Sequence, residues 1–162
     1  MPSSGLHTNG YTLARAALLK EGGLAITDKP AELGGLTVAD ALLAVHRSYL
    51  NDLRSVWSTC GRASVHGLAH ITGGGFYDNI PRVVPEGLCV EVDPTTWSQP
   101  PLFQLIAAKG SVTEREMYRV FNMGIGMVVI TSPEVDLGQL KGLGATEIGQ
   151  VSRGPDKVRL PF

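Results

Sequence analysis

Apolar residues recur at helical spacing at Leu13, Ala16 and Ala17, and that segment stops at Gly22-Gly23. Residues 24–36, with Pro30 and Gly34-Gly35, read as a loop. Thr37 can cap the next helix, with Asp40 three residues on as a short capping box. Val38, Ala41, Leu42, Val45 and Tyr49 line one face of that helix. The pattern leaves open whether it runs unbroken through 47–50 into a further helix near 51–59. A strand is expected over 65–71. It runs directly into Thr72-Gly73-Gly74-Gly75, with a short helix between those glycines and Pro81. Leu88, Val90 and Val92 alternate with Cys89 and Glu91, the mark of a half-buried strand. Pro100-Pro101 suits a helix start, with Leu102, Leu105 and Ile106 as its buried stripe and Lys109-Gly110 as its stop. Thr113-Glu114-Arg115-Glu116 is a full capping box, opening a helix with Met117, Val120 and Phe121 inward. The run Met127-Val128-Val129-Ile130 is apolar on both faces and predicts a central strand. Residues 134–142 carry a weak helical pattern, and 145–152 and 157–160 are late strand candidates. Strands and helices are interspersed without a repeat. The expected fold is α+β, a layered sandwich of a mostly antiparallel sheet covered by helices.

Composition narrows the function classes. A length of 162 residues fits one domain with a real core. The net charge of −1 and pI near 6.4 leave no basic stripe for nucleic acid and no acidic tail. The longest apolar run, near 125–130, is far too short to span a bilayer. Met1-Pro2-Ser3-Ser4-Gly5 has neither the charged nor the apolar region of a signal peptide. Cys60 and Cys89 make no CxxC pair and no zinc spacing, so two buried thiols in a cytoplasmic protein are expected. Residues 1–10 are polar and turn-forming and read as a cut interdomain connection or active-site loop. Residues 11–162 then make a single domain.

Three motifs can carry chemistry. In His70-Ile71-Thr72-Gly73-Gly74-Gly75 a strand delivers three glycines to a helix start. Backbone N–H groups there can approach a phosphate, Thr72 can donate its hydroxyl, and His70 can exchange a proton with the same ligand. A surface turn beside a structural histidine fits the same residues. Asn122-Met123-Gly124-Ile125-Gly126-Met127 joins a capped helix to a strand. Asn122 there can reach a ligand or hold the turn, and Gly124 permits close backbone approach. The opening stretch holds Ser3, Ser4, His7, Thr8 and Asn9 ahead of a helix, enough for an acid/base and several donors, or for a loose terminus. His46 and His66 are expected to be ordinary structural or surface histidines, and Arg115 and Arg119 to be solvated; Arg82 could face a phosphate. No Walker-A loop, dinucleotide fingerprint, HExxH, nucleophile elbow or metal cluster is legible in the chain.

Together these motifs resemble the C-terminal half of the AIR synthetase family, the phosphoribosylformylglycinamidine cyclo-ligases. The matching stretches are PSSGLHTNGYTLAR (2–15), GLAHITGGGFYDNIPRVVPEG (67–87), WSQPPLFQLIAAKGSVTEREMYRVFNMGIGMVV (97–129) and a looser tail around IGQV (148–151). Two departures stand out. Val120 occupies a position where Thr is usual, and Val45-His46 replaces a usual Pro-Thr ahead of Arg47 and Tyr49. The resemblance implies an AIR synthetase C-terminal domain-like fold and an ATP-dependent C–N ligase of purine biosynthesis. It would close the imidazole ring of formylglycinamidine ribonucleotide, giving aminoimidazole ribonucleotide, ADP and phosphate. It implies His7 and His70 as acid/base groups. Ser4, Asn9, Thr72, Gly73, Gly74, Gly75, Asn122 and Gly124 would bind substrate or phosphate. ATP and Mg²⁺ would be held mainly by an N-terminal domain that this chain lacks, within a homodimeric enzyme, and the isolated domain would be inactive. No nucleic-acid or membrane partner is implied. A sister ATP-using enzyme with another phosphoryl acceptor, or a non-catalytic anion- or nucleotide-binding module, are the competing readings.

Overall fold

The computed structural model describes residues Met1–Phe162. Helix α1 (Tyr11–Arg15) starts after Gly10, whose φ of 71° turns the chain sharply, and continues in wide π turns over Ala16–Glu21 to Gly22. Helix α2 (Val38–Leu42) is capped as its sequence predicts. The Thr37 hydroxyl accepts from the Asp40 N–H (3.0 Å), and the Asp40 carboxylate accepts from the Thr37 N–H (3.1 Å). The helix then stops. Residues 43–49 lie outside regular helix, and α3 (Leu50–Cys60) is a separate element. The apolar face therefore ends at Leu42, and Val45, expected on it, is 86% exposed.

Strand β1 (Val65–His70) leads into the triple glycine and then α4 (Gly75–Asn79). Next come β2 (Leu88–Val92), α5 (Pro101–Gly110), α6 (Glu114–Val120) and β3 (Met127–Thr131), then α7 (Leu137–Gly142), β4 (Gly149–Arg153) and β5 (Val158–Arg159). Thr113 caps α6 by accepting from Glu116 N–H, but the reciprocal half of the expected capping box is not made. In α6 Met117 and Tyr118 are buried, while Val120, expected inward, is half-buried. The alternation expected in β2 is also incomplete, because Cys89 is as buried as Val90 and Val92. Of the two cysteines only Cys89 is buried, and both are free.

The strands form two small sheets rather than one. Strand β1 pairs antiparallel with β3, and β2 lies between antiparallel β4 and parallel β5. Thus β3 is not a central strand. Its run is apolar on both faces because each face meets a different core. Val128 joins the main cluster around Phe76, Phe103, Tyr118 and Phe121, and Met127 joins a smaller one with Tyr49, Val56 and Leu140. The fold class is α+β all the same. No helix is long and apolar enough to cross a membrane.

The packing of α4 against α6 positions the glycine loop. Gly75 has φ 55°, and a Cβ there would strike the Tyr118 carbonyl. Replacing Gly75 with Ala is therefore expected to destabilise the domain by about 2 kcal/mol or more, from left-handed backbone strain and overpacking together. Urea denaturation checks this; an unchanged midpoint would contradict the packing.

Candidate active site

Residues ahead of α1 are drawn into the molecule as an additional edge. Pro2 bridges Ile125, Ser3 N–H donates to the Gly124 carbonyl (2.8 Å), and Gly126 N–H donates to the Met1 carbonyl (3.0 Å). Asn122 fastens this arrangement. Its Oδ1 accepts from Ser3 Oγ (2.8 Å) and Gly124 N–H (2.9 Å), and its Nδ2 donates to the Gly5 carbonyl (2.8 Å). These bonds use its polar atoms in a buried position, so Asn122 ties the opening segment to its own turn. Gly124 is likewise buried, with φ 99° and Pro100 where a side chain would go, and it offers no open approach to a ligand.

The same tie brings three histidines together. His7 comes from the opening segment, His70 from the end of β1, and His46 from the break between α2 and α3. His46, read from sequence as an ordinary histidine, stacks on His7 with ring centroids 4.0 Å apart, and its Nε2 lies 3.1 Å from His70 Nε2. His7 and His70 are 6.1 Å apart, centre to centre. One nitrogen from each of the three lies within 4.8 Å of the others, a cluster that spacing along the chain does not reveal. Tyr49 closes the group, its ring 6.0 Å from His7 and 5.8 Å from His70, with its hydroxyl donating to the Pro2 carbonyl (2.8 Å). Gly126 makes room, since a Cβ there would strike the Tyr49 hydroxyl and come within 2.6 Å of His7 Cε1.

His7 is only 1% exposed and, with Thr8, holds a left-handed backbone (φ 54° and 61°). Its Nε2 accepts from Ser4 N–H (3.0 Å), which places the ring proton on Nδ1, a buried atom without a partner. Burial, then the neighbouring imidazoles of His46 and His70 and the Arg47 guanidinium, push its pKa down to about 4. His70 is lowered by burial and by His46. Tyr49 is pushed up to about 12, mainly by burial. The lowered pKa values of His7 and His70 favour the uncharged imidazoles at neutral pH, although the His7 Nε2 lone pair is already engaged by Ser4 N–H.

The glycine loop is only partly an anion cradle. Gly75 N–H donates to the Thr72 carbonyl (3.0 Å) and its Cα is packed on α6, so the third glycine meets a packing requirement. No protein acceptor is found for the N–H groups of Gly73 and Gly74. Gly73 is exposed, and Asn9 Oδ1 lies beside it. The Asp78 carboxylate flanks Gly74, so the Gly73 side suits an anion better. Asn79, which the sequence did not single out, holds the loop from beneath. Its Nδ2 reaches the carbonyls of Gly73 (3.2 Å) and Gly75 (2.8 Å), and its Oδ1 faces the Thr72 hydroxyl (3.4 Å). Asn9 Nδ2 donates to the His7 carbonyl (2.6 Å), linking the loop to the imidazoles. Ser4 is exposed, and its hydroxyl donates to the Val45 carbonyl (2.6 Å). Arg82, Arg115 and Arg119 are all exposed, with Arg115 over the Tyr77 ring. His66 is exposed and bonded to Ser132 Oγ (2.7 Å).

Residues 1–160 match the family model described as AIR synthase related protein, C-terminal domain. Proteins named phosphoribosylformylglycinamidine cyclo-ligase are similar along most of the chain. The one from Symbiobacterium thermophilum is 43% identical over 152 residues, covering 93% of this chain and 42% of the relative. That from Myxococcus xanthus is 42% identical over 160 residues, 95% of this chain and 45% of the relative. That from Sorangium cellulosum is 48% identical over 128 residues, 79% of this chain and 36% of the relative. The chain thus spans less than half the length of these relatives.

The depressed histidines make stability depend on pH. In the unfolded chain His7 protonates near its ordinary value of 6.5, and in the folded chain only near 4. Between those values the unfolded chain binds more protons, so stability falls as pH drops from about 6.5 to about 4, and this contribution is flat above that window. His70 acts in the same sense. Urea midpoints measured in metal-free buffer are expected to fall more steeply with acid in the wild type than in His7→Asn. Parallel curves would mean that His7 is not held neutral.

Proposed function

Because the chain belongs to the AIR synthase related family, as its C-terminal domain, we propose that it forms one wall of the catalytic cleft of a phosphoribosylformylglycinamidine cyclo-ligase. On this reading ATP transfers its γ-phosphoryl to the formyl amide oxygen of formylglycinamidine ribonucleotide. The amidine nitrogen then attacks the activated carbon, the C–O bond breaks, and phosphate leaves with ADP and aminoimidazole ribonucleotide as the other products. The observation that carries the proposal is the convergence of His7 and His70 beside the open N–H groups of Gly73 and Gly74.

Ring closure releases a proton from the attacking nitrogen, and a neutral imidazole is suited to receive it. His70 is half-buried, borders the glycine loop and has a lowered pKa, so it takes that role. His7, held by Ser4, shapes the adjoining wall. Thr72, Gly73, Gly74 and Asn9 offer hydroxyl, N–H and amide groups to a phosphate, and intramolecular closure gains from a substrate held in place.

Mg²⁺ calls for hard oxygen ligands. The one cluster of potential ligands here is made of imidazoles alone, so it does not fit that ion. We assign Mg²⁺ and most of the ATP site to the remaining length of the relatives, and we infer a homodimeric, cytoplasmic enzyme in which the isolated domain is inactive.

The test joins this chain to the N-terminal portion of the Symbiobacterium thermophilum relative and assays formation of aminoimidazole ribonucleotide. The joined protein is expected to turn over and the 162-residue chain alone to give none. The substitution His70→Ala is expected to lower turnover by about 10²-fold or more with the fold intact. Full activity in that variant would remove His70 from the reaction.

A further inference from the structure

We propose that His7, His46 and His70 form a binding site for a zinc-type divalent transition-metal ion. Three segments distant in sequence each supply one imidazole, and their candidate ligand atoms lie within 4.8 Å of one another. The His46 and His70 Nε2 atoms are 3.1 Å apart. On a tetrahedral ion with bonds of about 2.0–2.1 Å, two ligand nitrogens stand roughly 3.3 Å apart, so this pair is already spaced for it.

The second observation is His7 Nδ1, a buried nitrogen of a residue 1% exposed that has no partner in the protein. A buried polar atom left unmatched is destabilising, and coordination satisfies it. Coordination through Nδ1 moves the ring proton to Nε2, which then gives up the bond it accepts from Ser4 N–H (3.0 Å) and donates instead to Ser4 Oγ, 3.1 Å away. That hydroxyl already donates to the Val45 carbonyl (2.6 Å), so a lone pair is free to accept from the imidazole. Orientation of a metal-bound histidine by such an outer acceptor is the usual arrangement. Bringing the three nitrogens onto one ion requires the His46 ring to turn off the face of His7. His46 sits in the irregular segment between α2 and α3, so this breaks no helical bond. His46 and His70 are half-buried, which leaves a fourth position for water.

The surrounding charge permits a cation. Arg47 is the neighbouring positive group, and its guanidinium is paired with Asp52 at 2.9 Å. The Tyr49 hydroxyl donates a hydrogen bond to the Pro2 carbonyl. With three imidazoles and no carboxylate, the set favours ions of the zinc, cobalt and nickel series over Mg²⁺ or Ca²⁺. The inference does not depend on the reaction proposed above, because binding is read without turnover.

Metal-free chain is titrated with Zn²⁺ by calorimetry and with Co²⁺ by absorption. One ion per chain is expected, at about micromolar affinity or tighter. The Co²⁺ spectrum should show visible bands without a thiolate charge-transfer band. His46→Ala and His70→Ala should each weaken Zn²⁺ binding at least about tenfold. Cys60→Ser should leave it unchanged, and His46→Gln replaces His46→Ala if the latter does not fold. The proposal is overturned by no binding tighter than about 0.1 mM, by affinity unaffected in the His46 variants, or by loss of binding in Cys60→Ser.

Discussion

The buried amide of Asn122 holds the two halves of the site in register. It bonds Ser3 and Gly5, partners 119 and 117 residues away in sequence, and also caps its own turn at Gly124. Closing a loop of that length opposes chain entropy, so the tie persists only because other bonds form with it. Pro2 bridges Ile125, and the Met1 carbonyl accepts from Gly126. Once the opening segment is fixed in this way, His7 falls beside the end of β1, and the Gly126 backbone lies close enough for Tyr49 and His7 to pack on it.

That placement sets the electrostatics. An imidazole surrounded by two others and an arginine, away from water, resists a second positive charge. The left-handed backbone at His7 and Thr8 shows that the segment is held in this position at some conformational cost. Interactions elsewhere, above all the Asn122 bonds and the burial of Leu6 in the main core, offset that cost. The site is therefore built by long-range closure rather than by any one local motif.

This explains what could be read from the chain. Local rules found the caps at Thr37 and Thr113, the strand entering the glycines, and the helix after Pro100. They failed where tertiary contacts decide. The run at β3 reads as a central strand because two cores cover its two faces. Val45 continues a helical stripe that the chain abandons at Leu42. Asn122 and Gly75 look like ligand contacts in sequence, yet their polar groups and open sides are taken up by the protein itself. The resemblance pointed to His7 and His70, and no spacing rule could have placed His46 against them, since the three lie on separate segments. Asn79 carried no signal beyond being a polar residue in a short helix.

The shared chemistry of the trio links its two proposed roles. A general base and a metal ligand both act through an unprotonated lone pair, and burial beside other imidazoles preserves that lone pair for either. What separates the roles is His46. His7 and His70 by themselves stand 6.1 Å apart, centre to centre. With His46 between them, the His70 nitrogen has a partner at 3.1 Å that can share a proton or, with His7, share an ion. An ion held there would remove the lone pair of His70 from proton transfer. On the two proposals, occupancy by metal and acceptance of the ring-closure proton would therefore be mutually exclusive states of the same three side chains.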